Sequence, residues 1–109
     1  MKSYTDLEQS KKLAKILSLK SADMIWANDN DVIVVPYDIT TRENVLHDFI
    51  PCWSLAALLD ILPHGKALIH DKGNLGYKCI CNNIDTYFHN NPVDACVNMI
   101  LKLKDLNLL

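Results

Sequence analysis

Apolar positions along this chain alternate between a helical and an extended period. Leu7, Leu13, Ala14 and Leu17 recur every three or four residues, with Lys11, Lys12 and Lys15 opposite, which predicts an amphipathic helix from about Asp6 to Leu17. Thr5-Asp6-Leu7-Glu8 precedes it as a capping box, the Thr5 hydroxyl accepting from the Glu8 amide while the Glu8 carboxylate reaches back. The next apolar runs, 22–27 and 32–35, are short and rich in β-branched and aromatic residues, and they flank Asn28-Asp29-Asn30-Asp31. They predict two strands joined by a turn, the second ended or confined to an edge by Pro36, which has no amide hydrogen for a ladder. Residues 38–48 show no period and read as a surface connection.

From Pro51 to Pro63 the apolar surface is interrupted only by Ser54 and Asp60. A proline stands at each end, one where a helix can begin and one where it must stop. A helix apolar nearly all round is buried on more than one side, so this is the predicted central helix. Lys66–His70 and Tyr77–Ile84 are strand-like around two glycines and an asparagine, which suits a hairpin with Tyr77, Cys79 and Cys81 facing the core. Asn91-Pro92-Val93-Asp94 is a helix start with a capping amide, a proline at the first position and an acid in the first turn. That helix runs to about Asp105 with Val93, Cys96, Val97, Ile100, Leu101 and Leu103 as its core stripe. The pattern predicts an α+β fold over residues 1–109 as a single domain: three helices packed on one face of a small, mainly antiparallel sheet of about four strands.

Composition narrows the function classes. The chain has 109 residues, half of them apolar, enough for one core without staples. Eleven basic against thirteen acidic residues give a net charge of −2. The one basic cluster, Lys11, Lys12, Lys15 and Lys20, reads as a solvated face, so no nucleic-acid partner is expected. Met1–Ser10 lacks the basic start and apolar run of a signal peptide, and Leu55–Leu62 is too short to cross a bilayer. The expected location is therefore cytoplasmic, with no membrane partner and with Cys52, Cys79, Cys81 and Cys96 reduced.

Three constellations could carry chemistry. Cys79-x-Cys81 shares a strand face and could join Cys52, Cys96 or a histidine around zinc, but structural zinc pairs are usually spaced C-x₂₋₄-C and no second pair exists. Packing as small buried hydrophobes is the preferred reading, with no metal and no cofactor. Cys52 at a helix start could be a nucleophile with His47 or His64, yet no orienting group or oxyanion donor accompanies it. Trp53 and Trp26 could contact a ligand, against the plainer reading of core lids whose indoles find an acceptor. Asp94 is explained by helix capping and Asp60 by an exposed corner. Gly73-x-x-Gly76 lacks the remaining residues of a phosphate loop.

Ile50–Leu59 with Leu62-Pro63, and Asn91–Leu103 with Leu106-Asn107-Leu108-Leu109, carry a resemblance. Together with Leu7–Ala14 and Ser21–Met24 they resemble a family of short bacterial proteins found on prophages or other mobile elements. The resemblance covers the helices, a little over half of the chain, and implies kinship without any activity, cofactor or catalytic residue. The apolar tail Leu103, Leu106, Leu108 and Leu109 either folds back over the core, the preferred reading, or serves a partner, most simply a homodimer through the C-terminal helix. The function expected on these grounds is a non-catalytic interaction or accessory module, binding a protein or peptide through its apolar surface and the Ile25–Phe49 region. The alternative is a small thiol-dependent hydrolase using Cys52 with a histidine.

Overall fold

Residues 2–28, 30–34, 49–71, 73 and 76–109 are described in the computed structural model. Pro36, His47 and the surface connection expected over residues 38–48 lie outside the described residues. By its internal contacts the chain divides into two compact units, Tyr4–Ala57 and Leu58–Leu109, the latter with Met1–Ser3.

In the first unit, helix α1 (Leu7–Ala14) is capped one residue later than its sequence suggests. Asp6, not Thr5, is the cap: its carboxylate accepts from the Gln9 amide at 2.8 Å and Gln9 Oε1 accepts from the Asp6 amide at 3.1 Å. Both frames fit a capping box, and the structure uses the later one because Thr5 is fully buried and bonded elsewhere. Leu13 and Ser10 are buried while Lys11, Lys12 and Lys15 are exposed. A short 3₁₀ turn (Leu19–Ser21) leads into β1 (Met24–Trp26), which pairs antiparallel with β2 (Val32–Val34) as predicted.

The other neighbour of β1 corrects the sequence reading. Ile50–Cys52 is a strand, β3, and not the start of the central helix. It pairs antiparallel with β1, Met24 opposite Cys52 and Trp26 opposite Ile50, giving a sheet of order β2-β1-β3. Pro51 is tolerated because β3 is an outer strand in that order. The helix that follows, α2 (Leu55–Ile61), is capped by Ser54, whose Oγ accepts from the Ala57 amide at 3.2 Å. Ala57 and Leu58 are buried, Leu55, Leu59 and Ile61 half-buried, and only Ala56 and Asp60 form an exposed edge. Helix α1 packs on β3.

The second unit holds the predicted hairpin, β4 (Lys66–Asp71) against β5 (Gly76–Cys81), in register from Lys66↔Cys81 to Asp71↔Gly76. The strand expected to continue to Ile84 breaks at Asn82-Asn83, whose φ values of 49° and 69° make a tight two-residue turn into β6 (Ile84–Asp85). The sheet order is β4-β5-β6. Helix α3 (Pro92–Asp105) begins as predicted, with Asn91 Oδ1 accepting from the Asp94 amide at 2.9 Å and Pro92 in the first turn. It lays Val93, Cys96, Val97, Ile100 and Leu103, all buried, on β5, where Cys79 and Cys81 are buried in turn. Its end is a Schellman-type cap: Asn107 is left-handed (φ 57°), its amide bonds Lys104 O at 3.1 Å and the Leu108 amide bonds Leu103 O at 2.8 Å.

The fold is therefore α+β, with three α-helices among the described residues. Among the described residues, the single sheet of about four strands is replaced by two antiparallel sheets of three strands each. Strand periodicity identifies the hairpins but not their partners, and the first hairpin recruits Ile50–Cys52 instead of joining the second. The apolar tail does not close over the core either, since Leu106, Leu108 and Leu109 are exposed. No helix among the described residues is long and apolar enough to cross a membrane.

Candidate functional site

The four cysteines singled out from sequence are buried, and Cys52 and both indoles are hydrogen-bonded internally. Cys52 is fully buried in β3, where its thiol donates to Thr5 O at 3.4 Å and lies 3.5 Å from Thr5 Oγ1. Burial pushes this thiol above its ordinary value, only partly offset by the Thr5 and Ser10 hydroxyls, while Asp23 adds to the rise. A nucleophilic cysteine needs the opposite shift. His47 is outside the described residues, and His64 is exposed in the turn before β4, in the other unit from Cys52.

Both indoles end on serine. Trp53 is fully buried, donates from Nε1 to Ser21 Oγ at 2.9 Å and from its amide to Thr5 Oγ1 at 3.1 Å. Trp26 donates to Ser10 Oγ at 3.0 Å, and Ser10 Oγ is 2.8 Å from Thr5 Oγ1. Trp26 also meets the Tyr4 ring edge-on, with centroids 6.0 Å apart. This hydroxyl chain serves α1 and β3 together: it satisfies polar groups that would otherwise be costly to bury.

In the second unit Cys79 and Cys96 are both buried where α3 packs on β5, and the neighbouring Cys79 thiol together with burial pushes the Cys96 thiol upward. Among the described residues no group of three or more His, Cys, Asp or Glu side chains is placed to hold a metal ion. Asp94 pairs with Lys2 at 2.8 Å and accepts from Asn91 Nδ2 at 2.9 Å, whereas Asp60 is exposed on α2.

A cleft of about 320 Å³ lies instead between the outer face of α3 and the segment that follows β6. Its helical wall is Asn98, Leu101, Lys102 and Asp105. Their spacing of i, i+3, i+4 and i+7 makes one continuous stripe. The facing wall, Thr86, Tyr87 and His89, is irregular but pinned at both ends. Thr86 bonds Cys79 of β5 through its amide, which donates to Cys79 O at 3.0 Å, and through its Oγ1, which accepts from the Cys79 amide at 2.9 Å and donates to Cys79 O at 3.4 Å. His89 exchanges both backbone bonds with Tyr77, at 2.7 and 2.6 Å. Between these anchors Tyr87 is 88% exposed.

The polar groups of the cleft are also positioned. Asn98 Nδ2 donates to His89 Nε2 at 2.8 Å, so that ring nitrogen acts as an acceptor and the imidazole is tied to α3. Lys102 Nζ donates to Asp85 O at 2.8 Å, which fixes the ammonium at one edge with hydrogens to spare. The Thr86 hydroxyl in the wall is already engaged by Cys79. The arrangement sets the Leu101 side chain and the Tyr87 ring beside two opposite charges, Lys102 and Asp105, a combination of apolar surface with a few placed polar groups that ligand sites share.

The sequence reading missed this site. It placed Leu101 in the core stripe of α3, but the residue is half-buried and faces the cleft. The available signal was the second stripe on that helix, since Asn98, Leu101, Lys102 and Asp105 repeat at helical spacing outside the core face. Against protein-family models, curated proteins and solved structures, the chain finds no match. The cleft must be interpreted from its own chemistry.

Proposed function

We propose that this chain is a non-catalytic accessory module of the cytoplasm that binds a short segment of a protein or peptide in the cleft beside α3. The observation that carries this reading is Tyr87, a large ring held out between two backbone anchors above a cleft and 88% exposed. An exposed tyrosine over an apolar floor supplies contact area at small entropic cost, because only two side-chain torsions must be frozen. The inward placement of Cys52, Cys79, Cys81 and Cys96 supports the same reading over the thiol-enzyme alternative. The test is affinity capture from the native cell with wild-type chain and with Tyr87→Ala. Partners retained by the wild type and by Cys52→Ala, yet lost from Tyr87→Ala, support the proposal. Retention that ignores Tyr87 refutes it.

A second reading concerns self-association. Leu106, Leu108 and Leu109 are exposed at the end of α3, which favours a homodimer through that helix. Light scattering of the purified chain and of a Leu106→Glu/Leu108→Glu variant decides it: a dimer mass that halves in the variant is expected, and a monomeric wild type rules the dimer out.

A further inference from the structure

We infer that the cleft selects segments in which an acidic and a basic side chain flank or adjoin an aromatic or branched apolar one, the acid meeting Lys102 and the base meeting Asp105. This inference rests on the peptide-binding reading and specifies its ligand. Three observations carry it. Leu101 and Tyr87 give the cleft an apolar centre. Lys102 and Asp105 stand one turn apart on the same helical stripe, yet Lys102 reaches back to the Asp85 carbonyl at 2.8 Å and the two form no ion pair among the described residues. Asp105 also closes the last turn of α3, beside the negative end of the helix dipole, where a carboxylate is disfavoured and a cation is welcome.

Charge and size exclude the obvious competitors. One ammonium and one carboxylate leave the lining close to neutral, which is wrong for a polyphosphate or a nucleic-acid strand. About 320 Å³ is at the small end for ligand sites and suits a few side chains rather than a large cofactor. Side chains at i and i+3 of a helix have Cβ atoms about 5–6 Å apart. An acid and a base within three residues of each other in the partner segment can therefore meet both groups at once.

The experiment is selection of a phage-displayed random heptapeptide library on the immobilised full chain, repeated on Tyr87→Ala, on Lys102→Asp/Asp105→Lys and on Asp105→Lys alone, each with its thermal melt recorded. Wild type is expected to enrich peptides carrying an apolar residue with one acid and one base close by. The double variant is expected to enrich the same composition with the order of the two charges reversed along the peptide. Asp105→Lys, which suits the helix dipole and so keeps the fold, is expected to enrich acidic peptides without the base. Removing either charge from a selected peptide should weaken binding to wild type by about two- to fivefold, the range of exposed ion pairs. Enrichment that depends on Tyr87 but ignores charge, or that is unchanged in both charge variants, overturns the inference while leaving the binding reading standing. Failure of the wild type to enrich anything, or enrichment indifferent to Tyr87→Ala, overturns both.

Discussion

The carbonyl oxygen of His89 occupies the space that a side-chain carbon on Gly76 would need. Gly76 also adopts φ +92°, a conformation that only glycine enters without strain. The two facts have one origin: the Tyr77–His89 bridge draws the chain preceding α3 tightly against the first residues of β5. One wall of the cleft thus depends on a residue outside it. Gly76→Ala should lower stability by about 1–3 kcal/mol through backbone strain alone, with the steric clash added. It should also weaken peptide binding by displacing His89. Urea denaturation and a binding titration on the same sample check both effects. Full binding with an unchanged urea midpoint would contradict this account of the bridge.

Ser54, and not Pro51, starts α2, and it has two tasks. Its Oγ accepts from the Ala57 amide at 3.2 Å and donates to the Asp23 carboxylate, while its amide donates to Asp23 Oδ1 at 2.9 Å. The start of α2 is thereby fastened to the residue before β1. Ser54→Ala should cost about 0.5–2 kcal/mol as a lost cap, and more than that because Asp23 loses a partner. Ser54→Thr keeps the hydroxyl and should recover most of the loss. Thermal melts of the two variants provide the comparison.

The start of α3, both hairpins and most of the α3 core stripe were legible because each follows from local chemistry. Asn91-Pro92 and the alternation of Cys79 and Cys81 fix their elements without reference to the rest of the chain. Strand β3 was not legible, because Ile50-Pro51-Cys52 is too short to show a period and its proline imitates a helix start. Its assignment comes from pairing with Met24–Trp26, a long-range contact. The candidate site was hidden for a related reason. Leu101 continues an apolar stripe in sequence, and only the path of Thr86–His89 over α3 reveals that it faces a cleft. The thiols and indoles attracted attention as reactive types, but burial and hydroxyl partners decide their roles, and neither is encoded in residue type.

The turn between β5 and β6 offers a stabilising change. Asn83 has φ 69° as the second residue of a two-residue turn. Asparagine tolerates that region better than most residues, but glycine enters it freely, and Asn-Gly is the preferred pair for such a turn. Asn83→Gly should raise stability by a few tenths to about 1 kcal/mol, since the relief of positive φ outweighs the greater freedom of glycine in the unfolded chain. It lies outside the cleft lining, so peptide binding should be unchanged. A lower melting temperature would show that the Asn83 side chain contributes more than its backbone conformation.

Cys52 gives stability a dependence on alkaline pH. Its thiol is buried and donates to Thr5 O, so the folded chain holds that proton more tightly than the unfolded chain does. The stabilisation is complete below the ordinary thiol value of about 8.5. Above it the unfolded chain releases a proton that the folded chain keeps, and stability falls as pH rises toward the folded-state value. Cys52→Ala removes this contribution. The variant should be less stable at neutral pH, because a small cavity replaces the sulfur, yet its urea midpoint should fall less steeply than that of wild type between about pH 8.5 and 10. All other groups are common to the two proteins, so the difference between the two profiles isolates the share of Cys52. Parallel profiles would mean that the thiol is solvated in the folded protein. In that case it should also react with a thiol reagent at neutral pH without denaturant, whereas burial predicts modification only on unfolding.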